Sequence, residues 1–317
     1  MRKNLVIIIT ICFFTGCMKT EKESAMPMVS SGKIERIENF PSHYISPRNV
    51  DIWLPETYDA SESYPVLYMH DGQMLFDSSV TWNHQEWGVD ETISKLIKQE
   101  TIQTCIVVGV WNSGSQRHAD YFPQKPFESL PAEYQDSLLQ EAKRYGEAAL
   151  FSTTVQSDNY LKFLTLELKP FIDKNYSTKP GRDNTFIAGS SMGGLISMYA
   201  ICEYPEVFGG AGCLSTHWTG TFTDKNNPIP QTFIDYLSEN LPNPSTCKMY
   251  FDYGTEGLDE MYEPYQIRVD SIMAARGYDN LNWKTMKFTG ENHSENAWRK
   301  RLHTPLTFLM GNQNLNE

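Results

Sequence analysis

The chain predicts an α/β protein, a mostly parallel central sheet with helices on both faces, and three observations carry that expectation. Short apolar runs of strand character alternate with longer stretches of helical spacing, as in strands joined through covering helices. At 317 residues, the chain suits one large unit with insertions better than a string of small modules. With 40% hydrophobic, 13% aromatic and 21% charged residues, it has the apolar surface to bury a core and lacks the charge-rich signature of disorder.

Residues 50–54 and 65–69 open the series as apolar, β-prone runs. An amphipathic helix over 91–97 follows, and then a β-branched strand over 104–110 that ends in Gly109 and Val110. The spacing predicts a helix over 160–172, a strand over 186–189, and a helix over 195–201 closed by Tyr204 and Pro205. Strands over 210–214 and 249–253, a helix over 263–275, a last strand over 283–288 and a closing helix over 298–309 complete the alternation. One stretch departs from it. Residues 122–158 are polar and helix-prone, with Pro123, Pro126 and Pro131 at their head, and they interrupt the passage from a strand to its helix. An insertion at a strand's carboxyl end lies over the face where open α/β sheets bind ligands, so a cap or lid is expected there, beside the plainer reading of a solvated side helix.

The N-terminus reads as an export signal. Arg2 and Lys3 precede an apolar run of about ten residues, too short to span a bilayer, and Thr15, Gly16 and Cys17 follow at once. Small residues directly before a cysteine fit a lipoprotein signal, with cleavage after residue 16 and the lipid carried by Cys17. Residues 17–35 are then a lipid-anchored tether and 36–317 the folded domain, exported and held in the bacterial cell envelope. Of six cysteines, Cys105, Cys202, Cys213 and Cys247 remain for the fold, in apolar settings where a thiol behaves as a small hydrophobe. Export to a disulfide-permissive compartment would allow a bridge from Cys213 to Cys247 between neighbouring strands. Acids outnumber bases 39 to 27, so the field of the whole chain repels phosphate backbones and nucleic acid is excluded as a partner.

The sharpest chemical signal is Gly189-Ser190-Ser191-Met192-Gly193, set between a predicted strand and a predicted helix. A serine in that turn has its hydroxyl thrust into a cleft by backbone geometry that demands small neighbours, and only Ser191 has glycine two positions away on both sides. A serine is a weak nucleophile until a base takes its proton and a carboxylate fixes the base's tautomer. In this architecture the order is serine, acid, histidine. Among His217, His293 and His303, only His293 stands in a loop after the final strand. The turn after 249–253 offers Asp259 and Glu256 as the acid; Asp259 is favoured for its shorter, stiffer side chain just ahead of a helix, although it could equally be a helix cap. Charge on the carbonyl oxygen needs donors, expected from the backbone N–H groups of Met192 and Gln73, with Gly72 letting the chain turn tightly. His70, Asp71, Asp77 and His84 lack the spacing of a metal site.

These residues carry a family resemblance. Tyr68-Met69-His70-Asp71-Gly72-Gln73, Val107-Val108-Gly109-Val110 with Asn112, Arg117 and Tyr121, Gly189-Ser190-Ser191-Met192-Gly193-Gly194, Leu214-Ser215-Thr216-His217-Trp218 and Gly290-Glu291-Asn292-His293-Ser294 together resemble the esterase D, or putative esterase, family. That family includes enterochelin esterases, feruloyl and acetylxylan esterases, and mycolyltransferases. The resemblance runs over residues 36–311 and implies an α/β-hydrolase fold with a cofactor-free Ser-His-acid mechanism, while residues 122–158 match none of its motifs.

Trp82, Trp87, Trp111 and Trp218 fall in or beside loops that follow strands, whereas Trp53, Trp283 and Trp298 read as core. Flat rings beside a cleft suit sugar faces or an aromatic acyl group. Trp111, Trp218 and Trp82, with His217 and Arg117 from the family motifs, are therefore the expected substrate contacts. Together with export, they favour feruloyl or acetyl esters of plant polysaccharides. A siderophore ester is the alternative, and a non-catalytic binding lipoprotein on the same fold is the reading from another class.

Overall fold

The computed structural model describes residues 24–144 and 148–312. The export signal and Cys17 lie outside the described residues.

Eight strands form one sheet: β1 (Lys33–Phe40), β2 (Arg48–Leu54), β3 (Val66–His70), β4 (Ile106–Val110), β5 (Thr185–Ser190), β6 (Gly210–Leu214), β7 (Lys248–Gly254) and β8 (Trp283–Phe288). They are arranged in the order β1-β2-β4-β3-β5-β6-β7-β8. β1 and β2 run antiparallel at one edge, and every pairing from β4 to β8 is parallel. The connecting helices are α1 (Val89–Lys98), α2 (Arg117–Tyr121), α3 (Gln124–Glu128), α4 (Ala132–Glu141), α5 (Ser157–Lys162), α6 (Lys169–Asn175), α7 (Met192–Glu203), α8 (Ile229–Asn240), α9 (Glu263–Ala275), α10 (Glu295–Arg301) and α11 (His303–Met310).

Side chains alternate across the pleat. Ile52, Val66, Tyr68, Val108 and Ile187 pack beneath α5 to α9 on one face, while Trp53, Leu67, Met69, Val107 and Phe186 pack against α1 and α11 on the other. The expected α/β architecture is thus present, with a mixed, mostly parallel sheet. Its register sets which loops become neighbours: Ser190 pairs with Leu214, Leu214 with Asp252, and Gly254 with Phe288. The turns after β5 to β8 therefore open on one edge, side by side.

Several boundaries differ from the sequence reading. The folded body begins before residue 36: β1 starts at Lys33, and residues 24–31 already hydrogen-bond to the body, Ser24 to Arg36 and Asn49, Met28 to Asp77 and Ser30 to Asp90. A polar segment reads as a tether, yet its backbone groups find charged partners on the body that no local pattern reveals. Helix α8 is absent from the expectation. The predicted helix over 160–172 is part of a longer one, in which a π-helical turn, Phe163–Leu168, joins α5 to α6; the closing helix is two. The described part of the insertion, 122–144 and 148–158, is packed down rather than standing off: Phe127, Leu130, Leu138, Leu150, Phe151 and Val155 are buried in the main core. An ion pair from Lys125 to Glu203 and a 2.6 Å bond from Tyr199 Oη to Asp158 pin its two ends to α7 and its flank. Cys105, Cys202, Cys213 and Cys247 are buried free thiols.

Candidate active site

Ser191 connects β5 to α7 with φ 58° and ψ −123°, a conformation that side chains rarely adopt. The turn closes because its glycines touch: a Cβ on Gly189 would meet the backbone of Gly193 at 2.8 Å. Ser191 N–H donates to Leu214 O at 2.9 Å, and His217 N–H donates to Ser191 O at 3.2 Å, so both peptide groups of the strained residue are held by the end of β6. Ser191 is partly exposed, whereas Ser190, the last residue of β5, is buried.

The structure brings His293 and Asp259 together and leaves Glu256 out. His293 Nδ1 donates to Asp259 Oδ1 at 2.5 Å, which places the imidazole proton on Nδ1 and leaves Nε2 free to accept one. The other carboxylate oxygen accepts from Ser215 Oγ and from Gly254 N–H, both at 2.6 Å. Burial pushes the Asp259 carboxyl up, but the bonds from His293, Ser215 and Gly254 outweigh it and hold the group below the usual carboxylate range. Glu256 is exposed. The acid turn and the histidine loop are also joined directly, since Thr255 and Glu256 N–H both donate to Glu291 O.

Sequence reasoning missed the shell behind this pair. Ser215 has φ 42°, and its hydroxyl, while donating to Asp259, accepts from Arg301 Nη2 at 2.7 Å and Trp298 Nε1 at 3.0 Å, which uses its full hydrogen-bonding capacity. Arg301 is buried and paired with Asp252 at 2.9 Å, so Asp252, within β7, anchors this arginine. Trp298 reads as core in the sequence, but its ring also stands 5.0 Å edge-on to His293. The LSTHW motif that holds Ser215 was the available signal.

Gln73 lies in the one-turn helix Gly72–Met74 after β3. A Cβ on Gly193 would meet His70 Cβ at 3.3 Å and Asp71 Oδ2 at 3.6 Å, so this loop packs on the first turn of α7, where Met192 begins. The first N–H groups of a helix point outward without intrahelical partners. Gly72 serves a different end from the expected one. A Cβ there would strike the backbone of Gly109 at 2.5 Å, so the glycine permits close approach to β4, and the left-handed residue is Asp71, with φ 57°.

The expected substrate contacts separate. Trp218 is fully buried, bonded through Nε1 to Gln266 at 3.0 Å and packed on Phe251, so its ring has no polar atom left over and is part of the core. Trp87 is likewise buried against Trp298. A tryptophan two residues from a site loop looks the same in sequence whichever way it turns. Trp82 is 80% exposed. Trp111 is fixed by a 2.8 Å bond to Asp51 and by the Arg36 guanidinium 4.6 Å from its ring. Arg117 grips Asp71 with two bonds of 2.7 Å, and Asn112 donates to the same carboxylate. His217 is buried, pairs through Nδ1 with Tyr262 Oη at 2.6 Å, and its Nε2 is a buried polar atom without a hydrogen bond among the described residues. Burial holds His217 well below the usual imidazole range, so its ring is neutral. The insertion reaches the neighbourhood of His217 through Phe151, whose ring stands 4.7 Å edge-on to His118, itself 6.4 Å from His217. Of the residues weighed as metal ligands, His70 pairs with Tyr160, Asp71 with Arg117 and Asp77 with Met28.

A partly exposed serine in a strained strand-to-helix turn, on the same sheet edge as a carboxylate-bound histidine, is the arrangement that a serine hydrolase on an α/β-hydrolase fold requires. The chain belongs to the putative esterase family, whose model matches residues 43–309, and it is a carboxylic ester hydrolase. It is 25% identical over 216 residues to the uncharacterized protein YbbA of Bacillus subtilis, covering 68% of this chain and 70% of that one. It is also 25% identical over 292 residues to an endo-1,4-beta-xylanase/feruloyl esterase of Xylanibacter ruminicola, covering 86% of this chain and 31% of that longer protein. The structure of the enterobactin esterase FES from Shigella flexneri shares the fold, with a TM-score of 0.59 at 16% identity over 89% of this chain and 60% of that one.

Proposed function

We propose that this chain is a lipid-anchored envelope esterase acting on feruloyl or acetyl esters of plant polysaccharides through Ser191, His293 and Asp259. The observation that supports the triad is the 2.5 Å bond from His293 Nδ1 to Asp259 within a turn network that also touches the strand ends beside Ser191. In the first half-reaction His293 Nε2 takes the Ser191 proton as Oγ attacks the carbonyl carbon, and the tetrahedral oxyanion accepts from the N–H groups of Met192 and Gln73. The C–O bond to the alcohol breaks as His293 returns the proton to the leaving oxygen, which leaves an acyl-serine. Water, deprotonated by His293, repeats the sequence and frees the acid. Asp259 stays ionised throughout and stabilises the imidazolium.

Arg117, Trp111, Trp82 and the unpaired Nε2 of His217 are the surrounding substrate contacts. The substrate class rests on the exposed and half-buried rings beside the site, on the expected export with lipidation at Cys17, and on the likeness to a protein named as a feruloyl esterase. Hydrolysis of p-nitrophenyl acetate, methyl ferulate, acetylated xylan and a catecholate trilactone by the full chain tests the class, and preference for the trilactone replaces it with a siderophore ester. Ser191→Ala should lower turnover by about 10⁴-fold or more, with Ser190→Ala far milder. Equal losses refute the nucleophile, and fatty-acid labelling that survives Cys17→Ser refutes the anchor.

A further inference from the structure

The segment that reads as tether forms a wall. Ser24, Ala25 and Pro27 line one side of a cavity of about 520 Å³, and Gly72, Gln73, Trp111 and the loop bearing Trp82 line the other. The wall is fastened at several points: Arg36 Nη1 donates to the carbonyls of Ser24 and Ala25 at 2.8 and 3.1 Å, Asn49 donates to Ser24 Oγ, and Met28 N–H donates to Asp77. Neither Ser191 nor His293 borders the cavity; it joins the reacting centre at Gly72 and Gln73.

We propose that this cavity binds the neutral sugar ring of the leaving alcohol and that Ser24, Ala25 and Pro27 complete the site. Charge sets the ligand class. Arg36 and Asp51 both line the cavity, but they neutralise each other in a buried pair with bonds of 2.6 and 2.9 Å, so a charged ligand finds no free counterion in them. What remains is a half-buried indole held in a fixed orientation, a second indole exposed at the mouth, and hydroxyl and carbonyl groups around them. Flat rings with scattered polar groups match the apolar faces and hydroxyl rim of a pyranose or furanose. Geometry assigns the side of the ester. The proton that His293 returns goes to the leaving oxygen, so the alcohol departs on the His293 flank. The Trp82 loop is tied to that flank, with Asn83 Nδ2 donating to Glu295 at 2.9 Å and Gln85 accepting from Asn296 N–H, directly after His293 and Ser294.

This inference rests on the proposed esterase mechanism, and its test separates the two. Two ester pairs share an acyl group and differ in alcohol: methyl ferulate with feruloyl arabinoxylotriose, and ethyl acetate with acetylated xylotriose. The full chain should favour the saccharide member of a pair at least tenfold in kcat/KM, and Ala25→Trp, which fills the cavity, and Trp82→Ala should each cut that ratio by about fivefold. Position 82 is exposed, so its variant folds even if a tryptophan at 25 does not. A second arm needs no turnover: calorimetry should detect xylotriose binding to Ser191→Ala and its weakening when Trp82→Ala is added. No saccharide preference, a ratio that survives both substitutions, or no xylotriose binding overturns the sugar site. Full turnover of all four esters by Ser191→Ala overturns the mechanism instead.

Discussion

Asp259 and Glu256 stand three residues apart in one turn, and only the buried one meets the histidine. Asp259→Asn keeps the shape but offers an amide where His293 Nδ1 needs an acceptor, so kcat/KM for p-nitrophenyl acetate should fall by about 10³–10⁴-fold. Glu256→Gln should change it by less than about twofold, because an exposed carboxylate away from the base orients nothing. Ser215→Ala should fall between them, at about 10–100-fold, since Asp259 keeps its bonds from His293 and Gly254 but loses one donor, and Arg301 and Trp298 lose their common acceptor. A larger effect at Glu256 than at Asp259 would reverse the acid. The proposed nucleophile and base are legible in sequence because a two-glycine turn and a histidine after the last strand are local patterns. The role of Ser215 is not, because it exists only where the ends of β6 and β7 and helix α10 meet, contributed by residues 215, 259, 298 and 301.

The turns that follow β7 and β8 behave as one element. Gly254, the last residue of β7, has no room for a side chain: a Cβ would lie 2.1 Å from Glu291 O and 3.0 Å from Asp259 Oδ2. Gly254→Ala must therefore push the histidine loop away from the acid turn, even though neither Asp259 nor His293 is itself altered. The expected result is a Tm several degrees lower and kcat/KM reduced by at least about tenfold; an active variant with unchanged Tm would mean the two loops are less tightly joined than their contacts indicate. The same scale explains what the sequence reading could and could not recover. Parallel strands announce themselves because both faces are covered and the runs are nearly all apolar. The edge strand β1, KIERIENF, has only one neighbour and a largely open face, so its composition resembles that of a linker. Trp218 shows the converse difficulty, for burial against Phe251 and Gln266 is decided by β7 and α9, far away in the chain.

Across the whole molecule, burial of histidines sets the response to acid. His70 and His118 are pushed down to about 3 by burial, and His217 is held well below its ordinary value for the same reason. The folded protein keeps all three neutral at pH values where the unfolded chain protonates them, from about 6.5 downward. More protons are then bound by the unfolded state, so stability rises with pH through this window and is lost as pH falls. Each such histidine contributes a slope of about 1.4 kcal/mol per pH unit once its unfolded form is fully charged. Glu91, pushed up to about 7 by burial, and Asp252 and Asp270, which burial also pushes up, favour the proton in the fold and work against the histidines. Asp71 and Asp259, both held below the usual carboxylate range, contribute only below about pH 4 and leave the window clear. The urea midpoint should therefore drop between pH 7.5 and pH 5. His118→Gln, which keeps a donor for the carbonyl of Gly220, should flatten that dependence by one histidine's share. A midpoint that stays level from pH 7.5 to pH 5 in the unaltered chain, and that His118→Gln leaves unchanged, would mean that the fold does not hold these rings neutral. The neutral His217 Nε2 assigned to the substrate wall would then be wrong as well.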